Sequence, residues 1–131
     1  MSFDAERSEI EARWIAASIG LTLGYDGQGY DAAVNTVRLS IQSGAASQIS
    51  FGSPGANLVR YVGVAFFEIY TAGGAGSVAA RGYAETIKTA FINQTLATVK
   101  CGIPYILSSR DDPPFYRVVL AVPFTRDAYE A

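Results

Sequence analysis

The chain has 131 residues, half of them apolar and only 17% charged, with a net charge of −2 and a pI near 5.0. That is the length of one domain, which buries roughly two-thirds of its unfolded surface and needs no disulfide. An acidic balance with ten singly scattered Lys and Arg excludes a basic nucleic-acid surface, and the lack of any histidine removes Ser-His-Asp, Cys-His and common zinc chemistry.

Residues Phe3 to Ser18 read as a helix with Phe3, Ile10, Trp14 and Ala17 on one apolar stripe. Ser2 or Asp4 can cap it, Glu6 sits in the first turn where the helix dipole favours an anion, and Gly20 ends it. Glu6, Glu9, Glu11 and Arg13 are expected on the other faces. This charged opening, Met1 to Arg13, is a helix pattern and not that of a secretory leader. Thr22 to Tyr25 is a short strand, followed by a Gly-rich loop from Asp26 to Ala33. From Thr36 to Gln42, Val37, Leu39 and Ile41 alternate with polar residues, the period of a strand with one wet face. Gly44 is expected to turn the chain before a short strand over Ser47 to Phe51, which runs into Gly52-Ser53-Pro54-Gly55.

Leu58 to Thr71 is the most apolar strand. Val59, Tyr61, Ala65, Phe67 and Ile69 share one parity, and Val62, Val64, Phe66 and Tyr70 the other. Helices cover one face of a small sheet, so the second face calls for another cover, most simply a neighbouring subunit. After Ala72 to Gly76, Ser77 caps a second helix to about Asn93, with Ala80, Ala84, Ile87 and Phe91 as its stripe. Thr98 to Ser109 reads as a strand interrupted near Gly102 and Pro104, Arg110 to Pro114 as a tight connection, and Phe115 to Arg126 as the last strand. Helix, about four strands, helix and two strands describe a single α+β domain over residues 1–131. Its sheet is mixed but mainly antiparallel, with about five to six strands packed by two helices.

Chemical motifs are few. Gly73-Gly74-Ala75-Gly76-Ser77 precedes a helix, as phosphate loops do, yet lacks the Lys-Ser/Thr of a P-loop and dinucleotide glycine spacing. Asp26 and Asp31, and Asp111 and Asp112, read as turn aspartates, with too few oxygen ligands for an EF-hand. Cys101, the sole cysteine, reads as a buried, inert thiol and fits a reducing cytosol. Ser53 has no base partner. The aromatics sit in apolar runs and read as core or subunit interface. No apolar stretch reaches the roughly 18 residues of a membrane span. No catalytic residue, cofactor or metal site is expected.

With the elements placed, the chain resembles the tail-terminator-like proteins of phages, related in fold to the lambda-type terminator. The likeness runs from Met1-Ser2-Phe3-Asp4-Ala5 and Ile10-Glu11-Ala12-Arg13 through Val37-Arg38-Leu39-Ser40-Ile41 and Gly52-Ser53-Pro54-Gly55 to Arg60-Tyr61. It continues in Ile69-Tyr70-Thr71-Ala72-Gly73-Gly74-Ala75-Gly76 and closes with Val122-Pro123-Phe124. The segment from Tyr25 to Asn35 departs from the pattern, being short and without proline.

The resemblance implies a virion protein assembled in the host cytoplasm as a homo-oligomeric ring, usually of six subunits. Such a ring caps the head-proximal end of the tail tube, stops its polymerisation and meets the head-completion or neck proteins. DNA passes through such a ring without sequence recognition. Ring contacts are heterologous, one patch meeting a different patch on the next copy. Phe66 and Phe67 are then expected in ring or core burial, with Glu68 beside them, and Arg38, Arg60 and Arg126 at subunit contacts. Gln48, Ser50, Phe51 and Ser53, with Arg110, Asp111 and Asp112, are expected to make axial contacts with tube and neck. The alternatives are a head-completion or stopper protein of the same neck, or a small ligand-binding or enzymatic α+β domain with a polar pocket.

Overall fold

The computed structural model describes residues 4–17, 22–25, 36–73, 78–96, 98–112 and 115–129. In chain order these form α1 (Asp4–Ala17), β1 (Thr22–Tyr25), β2 (Thr36–Gln48), β3 (Leu58–Ala72), α2 (Val78–Phe91), β4 (Val99–Cys101), β5 (Tyr105–Asp112) and β6 (Phe115–Tyr129). The predicted caps Ser2 and Ser77, the stripe residue Phe3, Gly20, the 26–33 loop, residues 74–76 and Pro113-Pro114 lie outside the described residues.

These six strands belong to one sheet, in the order β1-β2-β3-β6, with β4 and β5 in succession along the far side of β6. Among the described residues, only the β1–β2 pair is parallel. The predicted interruption near Gly102 and Pro104 is the break between β4 and β5. Two expectations give way. Gly44 does not turn the chain: β2 continues to Gln48, and the register slips between Ser43 and Ala46, inserting a bulge. Pairing with β3 overrides the local turn preference, because Ala46, Ser47 and Gln48 find Tyr61, Arg60 and Val59. Likewise Arg110, Asp111 and Asp112 are strand residues opposite Arg117, Tyr116 and Phe115, so the connection shrinks to positions 113–114.

Both helices lie on one face. Trp14 of α1 stacks on Phe67 of β3 at 5.5 Å between ring centroids, and Phe91 of α2 meets the same ring at 5.2 Å. Around this trio pack Ile10, Ala80, Ala84 and Ile87 from the helices and Val37, Leu39, Ile69, Val118, Leu120 and Val122 from the strands. The alternation read from the sequence therefore holds in β2, β3 and β6: the odd positions of β3 and the even positions of β6 face the helices. Aromatic pairs of this geometry contribute about 0.5–1.5 kcal/mol beyond the area they bury.

Glu6 departs from expectation. It lies four residues before Ile10 and eight before Trp14, on the same helical face, and is buried with them. Its partner is Arg126 of β6, whose guanidinium Nε lies 3.4 Å from Glu6 Oε1 and whose Cζ sits 4.5 Å over the Tyr61 ring. Glu9, one position to the side, ties α1 to the start of β4. Its carboxylate accepts the N–H groups of Thr98 (2.6 Å) and Val99 (3.0 Å) and the Thr98 hydroxyl. Burial pushes the Glu9 carboxyl up, but these hydrogen bonds and the Arg126 charge outweigh it and hold the group below its ordinary range.

Candidate interaction surfaces

Three surfaces carry the residues singled out by sequence. The first is the arm formed by the far ends of β2 and β3. From Gln42 to Ala56 every side chain but the half-buried Ser50 is exposed. The tip is nevertheless well braced. Ile49 N–H donates to the Leu58 carbonyl (2.8 Å), Leu58 N–H to Ser50 Oγ (2.7 Å) and Ser53 N–H to the Asn57 side-chain oxygen (3.1 Å). Gly52 and Gly55 adopt φ of +98° and +82°, the left-handed region that glycine enters without steric cost. Gln48 Nε2 donates to the Ser50 carbonyl at 3.0 Å. This scaffold holds Phe51 in the open, 79% exposed, beside exposed Ile49.

The second surface is the edge strand β5. Ile103 is 61% exposed and Leu107 54%, with Tyr105 and Ile106 also open. Beside it, between β5 and α2, runs an open groove of about 500 Å³ lined by Arg81, Glu85, Lys88, Pro104, Tyr105 and Ile106 among others. Sequence reasoning missed this edge. Its signal was the run Tyr105-Ile106-Leu107: on a strand, three consecutive apolar residues send at least one side chain away from the core.

The third surface is the sheet face away from the helices. At one end Glu68 is flanked by Arg38 (3.7 Å) and Arg117 (3.5 Å) and accepts the Tyr70 hydroxyl at 3.3 Å. Burial and the Glu68 charge push the Tyr70 phenol up, against the opposing effect of Arg117. At the other end Arg60 and Asp127 form a two-point pair at 2.9 and 3.0 Å, which holds the Asp127 carboxyl low. Between the charged ends lies an apolar strip of Phe66, Val64, Val62 and Pro123. It is less bare than the sequence implies: only Val62 of the four is exposed, and Val119 and Ala121 on this face are buried.

Several expected contacts change place. Phe67 takes the core, one of the two burials expected for it, and Arg126 is buried between sheet and α1, so neither offers a side chain to a partner. Arg38 and Arg60, expected to pair between subunits, pair within the chain because Glu68 and Asp127 stand directly across the strands. Arg110 and Asp111 sit exposed on β5 beside the backbone of Asp112, away from the arm that carries Gln48 to Ser53. The two predicted axial groups are thus on different surfaces.

Cys101 is buried, and burial pushes its thiol up to about 11, outweighing the nearby Arg13 charge. Among the described residues, no group of three or more Cys, Asp and Glu is placed to hold a metal ion, and no helix is long and apolar enough to cross a membrane. No family model and no curated protein matches the chain. Solved structures do match. One of them, whose name carries no functional description, is 17% identical, covers 100% of this chain and 99% of its own, and superimposes with a TM-score of 0.73. At that identity the likeness establishes the fold alone: α+β, with two helices on a six-stranded, mostly antiparallel sheet.

Proposed function

We propose that the chain is a tail terminator, a structural virion subunit that closes into a ring, caps the tail tube and joins it to the neck. The sequence resemblance supplies the role. One structural observation carries it furthest. Among the described residues, six of the nine large hydrophobic side chains that are exposed belong to two separate surfaces at opposite sides of one sheet. These are the arm (Ile49, Phe51) and β5 with its lead-in (Ile103, Tyr105, Ile106, Leu107). Exposed apolar clusters of this kind mark interaction sites. Two different patches on opposite sides suit the head-to-tail contacts of a ring, whereas a two-fold dimer uses a single self-complementary patch.

In this reading the work is done by shape. The domain core around Phe67 is a rigid wedge, the edges join neighbours, and the braced tip presenting Phe51 reaches toward the tube or neck. Adding the purified protein to polymerising tube subunits tests the role. Tubes that stop growing, with the protein at one end, are the expected result. Elongation that proceeds unchanged favours the neighbouring stopper role instead.

A further inference from the structure

We infer that the two open edges of the sheet are each other's partner between copies of this chain: the arm strand Ser40–Gln48 of one subunit adds, antiparallel, to β5 of the next. This rests on the ring reading and names the surfaces that close the ring. Among the described residues, β1 covers only Thr36–Leu39 of β2, which leaves the flank of Ser40–Gln48 without a strand. On the opposite side, β5 is paired with β6 alone. Both flanks present a row of backbone N–H and C=O groups that can template another strand.

Proteins that stay monomeric guard such edges with Lys, Pro or other charged residues. Here such residues are absent from most of both edges, and the charges of β5, Arg110, Asp111 and Asp112, are gathered at its far end. Ser40 to Phe51 contains no charged residue and no proline, and neither does Tyr105 to Ser109. The occupant of each flank follows from length and direction. Eight-residue β5 needs a strand of similar length, and the Ser40–Gln48 flank is the matching open segment among the described residues. The strands β2, β3, β6 and β5 alternate in direction, so stepping from β2 to a neighbour's β5 continues the antiparallel order.

One register satisfies the side chains as well. Setting Ala45 opposite Leu107 brings exposed Ile49 to exposed Ile103 and sets polar Ser40 and Gln42 against Asp112 and Arg110. It also places the bulge at Ser43/Ala46 beside the irregularity at Ile106/Ser108. Within one subunit Leu107 lies level with Arg38 and Leu39, so this register offsets neighbours by about 19 Å along the strands, at about 3.4 Å per residue. Four strands span about the same 19 Å across the sheet, so the strands of the closed ring tilt by about 45°, the upper part of the range that closed barrels adopt.

A charge swap tests the pairing on the full chain. Leu107→Asp alone and Ala45→Lys alone should each reduce the ring to the 13.9 kDa monomer in light scattering, with circular dichroism unchanged because both side chains are exposed. The double variant Ala45→Lys/Leu107→Asp should restore the ring in a salt-sensitive form. As a second measurement, Ala45→Cys/Leu107→Cys in a Cys101→Ser background should give a ladder of disulfide-linked multimers on oxidation, since facing antiparallel residues lie within disulfide reach. A ring that survives both single variants and yields no ladder overturns the edge pairing while leaving the terminator role standing. A wild-type chain that stays monomeric even with tube subunits present overturns both.

Discussion

Glu6 and Arg126, 120 residues apart in the chain, form an ion pair whose side chains are only 3% and 1% exposed. It fastens α1 to the end of β6 that lies nearest the arm, with Tyr61 beneath the guanidinium. Removing one partner strands a buried charge. Glu6→Ala should therefore cost about 3–5 kcal/mol of stability, read from urea unfolding. The double variant Glu6→Leu/Arg126→Met, which removes both charges, should recover most of that loss.

Gly63 stands where β3 passes beneath Phe124. A Cβ at this position would lie 2.6 Å from Phe124 Cζ and 2.9 Å from the Gln42 carbonyl oxygen. Gly63→Ala is expected to destabilise the fold by about 1–3 kcal/mol through overpacking. Gly82, in the middle of α2, has open space where a methyl group would stand, with nothing within 4 Å. Gly82→Ala should instead stabilise by about 0.5–1 kcal/mol, since alanine loses less backbone freedom in a helix. Opposite signs in thermal melts check both.

The Glu9 carboxylate that receives the N–H groups of Thr98 and Val99 is held below its ordinary value. A depressed carboxyl contributes stability above its unfolded pKa of about 4.5, and that contribution fades as the pH falls through the folded value. Glu9→Gln should flatten the acid limb of the stability profile in this window and leave stability between pH 7 and 8 only slightly reduced. The effect is small because solvent screens this partly exposed group.

Cys101, with its thiol pushed up to about 11, carries almost no thiolate near neutrality. At pH 8 the folded protein should resist iodoacetamide for hours, while the urea-unfolded chain reacts within minutes. Mass spectrometry of the alkylated protein reads the difference.

Much of the fold was legible because it is written in local periods. The parity of β3 and β6 and the stripe Ala80, Ala84, Ile87 and Phe91 were visible as alternation by two and by about 3.6. What escaped depended on partners distant in sequence. Glu6 looked solvated until Arg126 arrived across the fold. Gly44 looked like a turn until β3 supplied a pairing edge, and Arg110–Asp112 looked like a loop until β6 did. The candidate surfaces were half legible. Phe51 on a glycine-rich tip was readable, but the exposure of Tyr105, Ile106 and Leu107, hinted at by their consecutive run, follows from β5 lying at the edge of the sheet, a fact of strand order.

Native mass in solution, measured over rising concentration and again with tube subunits present, tests the ring most directly. A closed species of about six times the 13.9 kDa chain is expected, with no larger open polymers, since head-to-tail contacts whose rotation closes end in a ring. A mass of 13.9 kDa under every condition would contradict it.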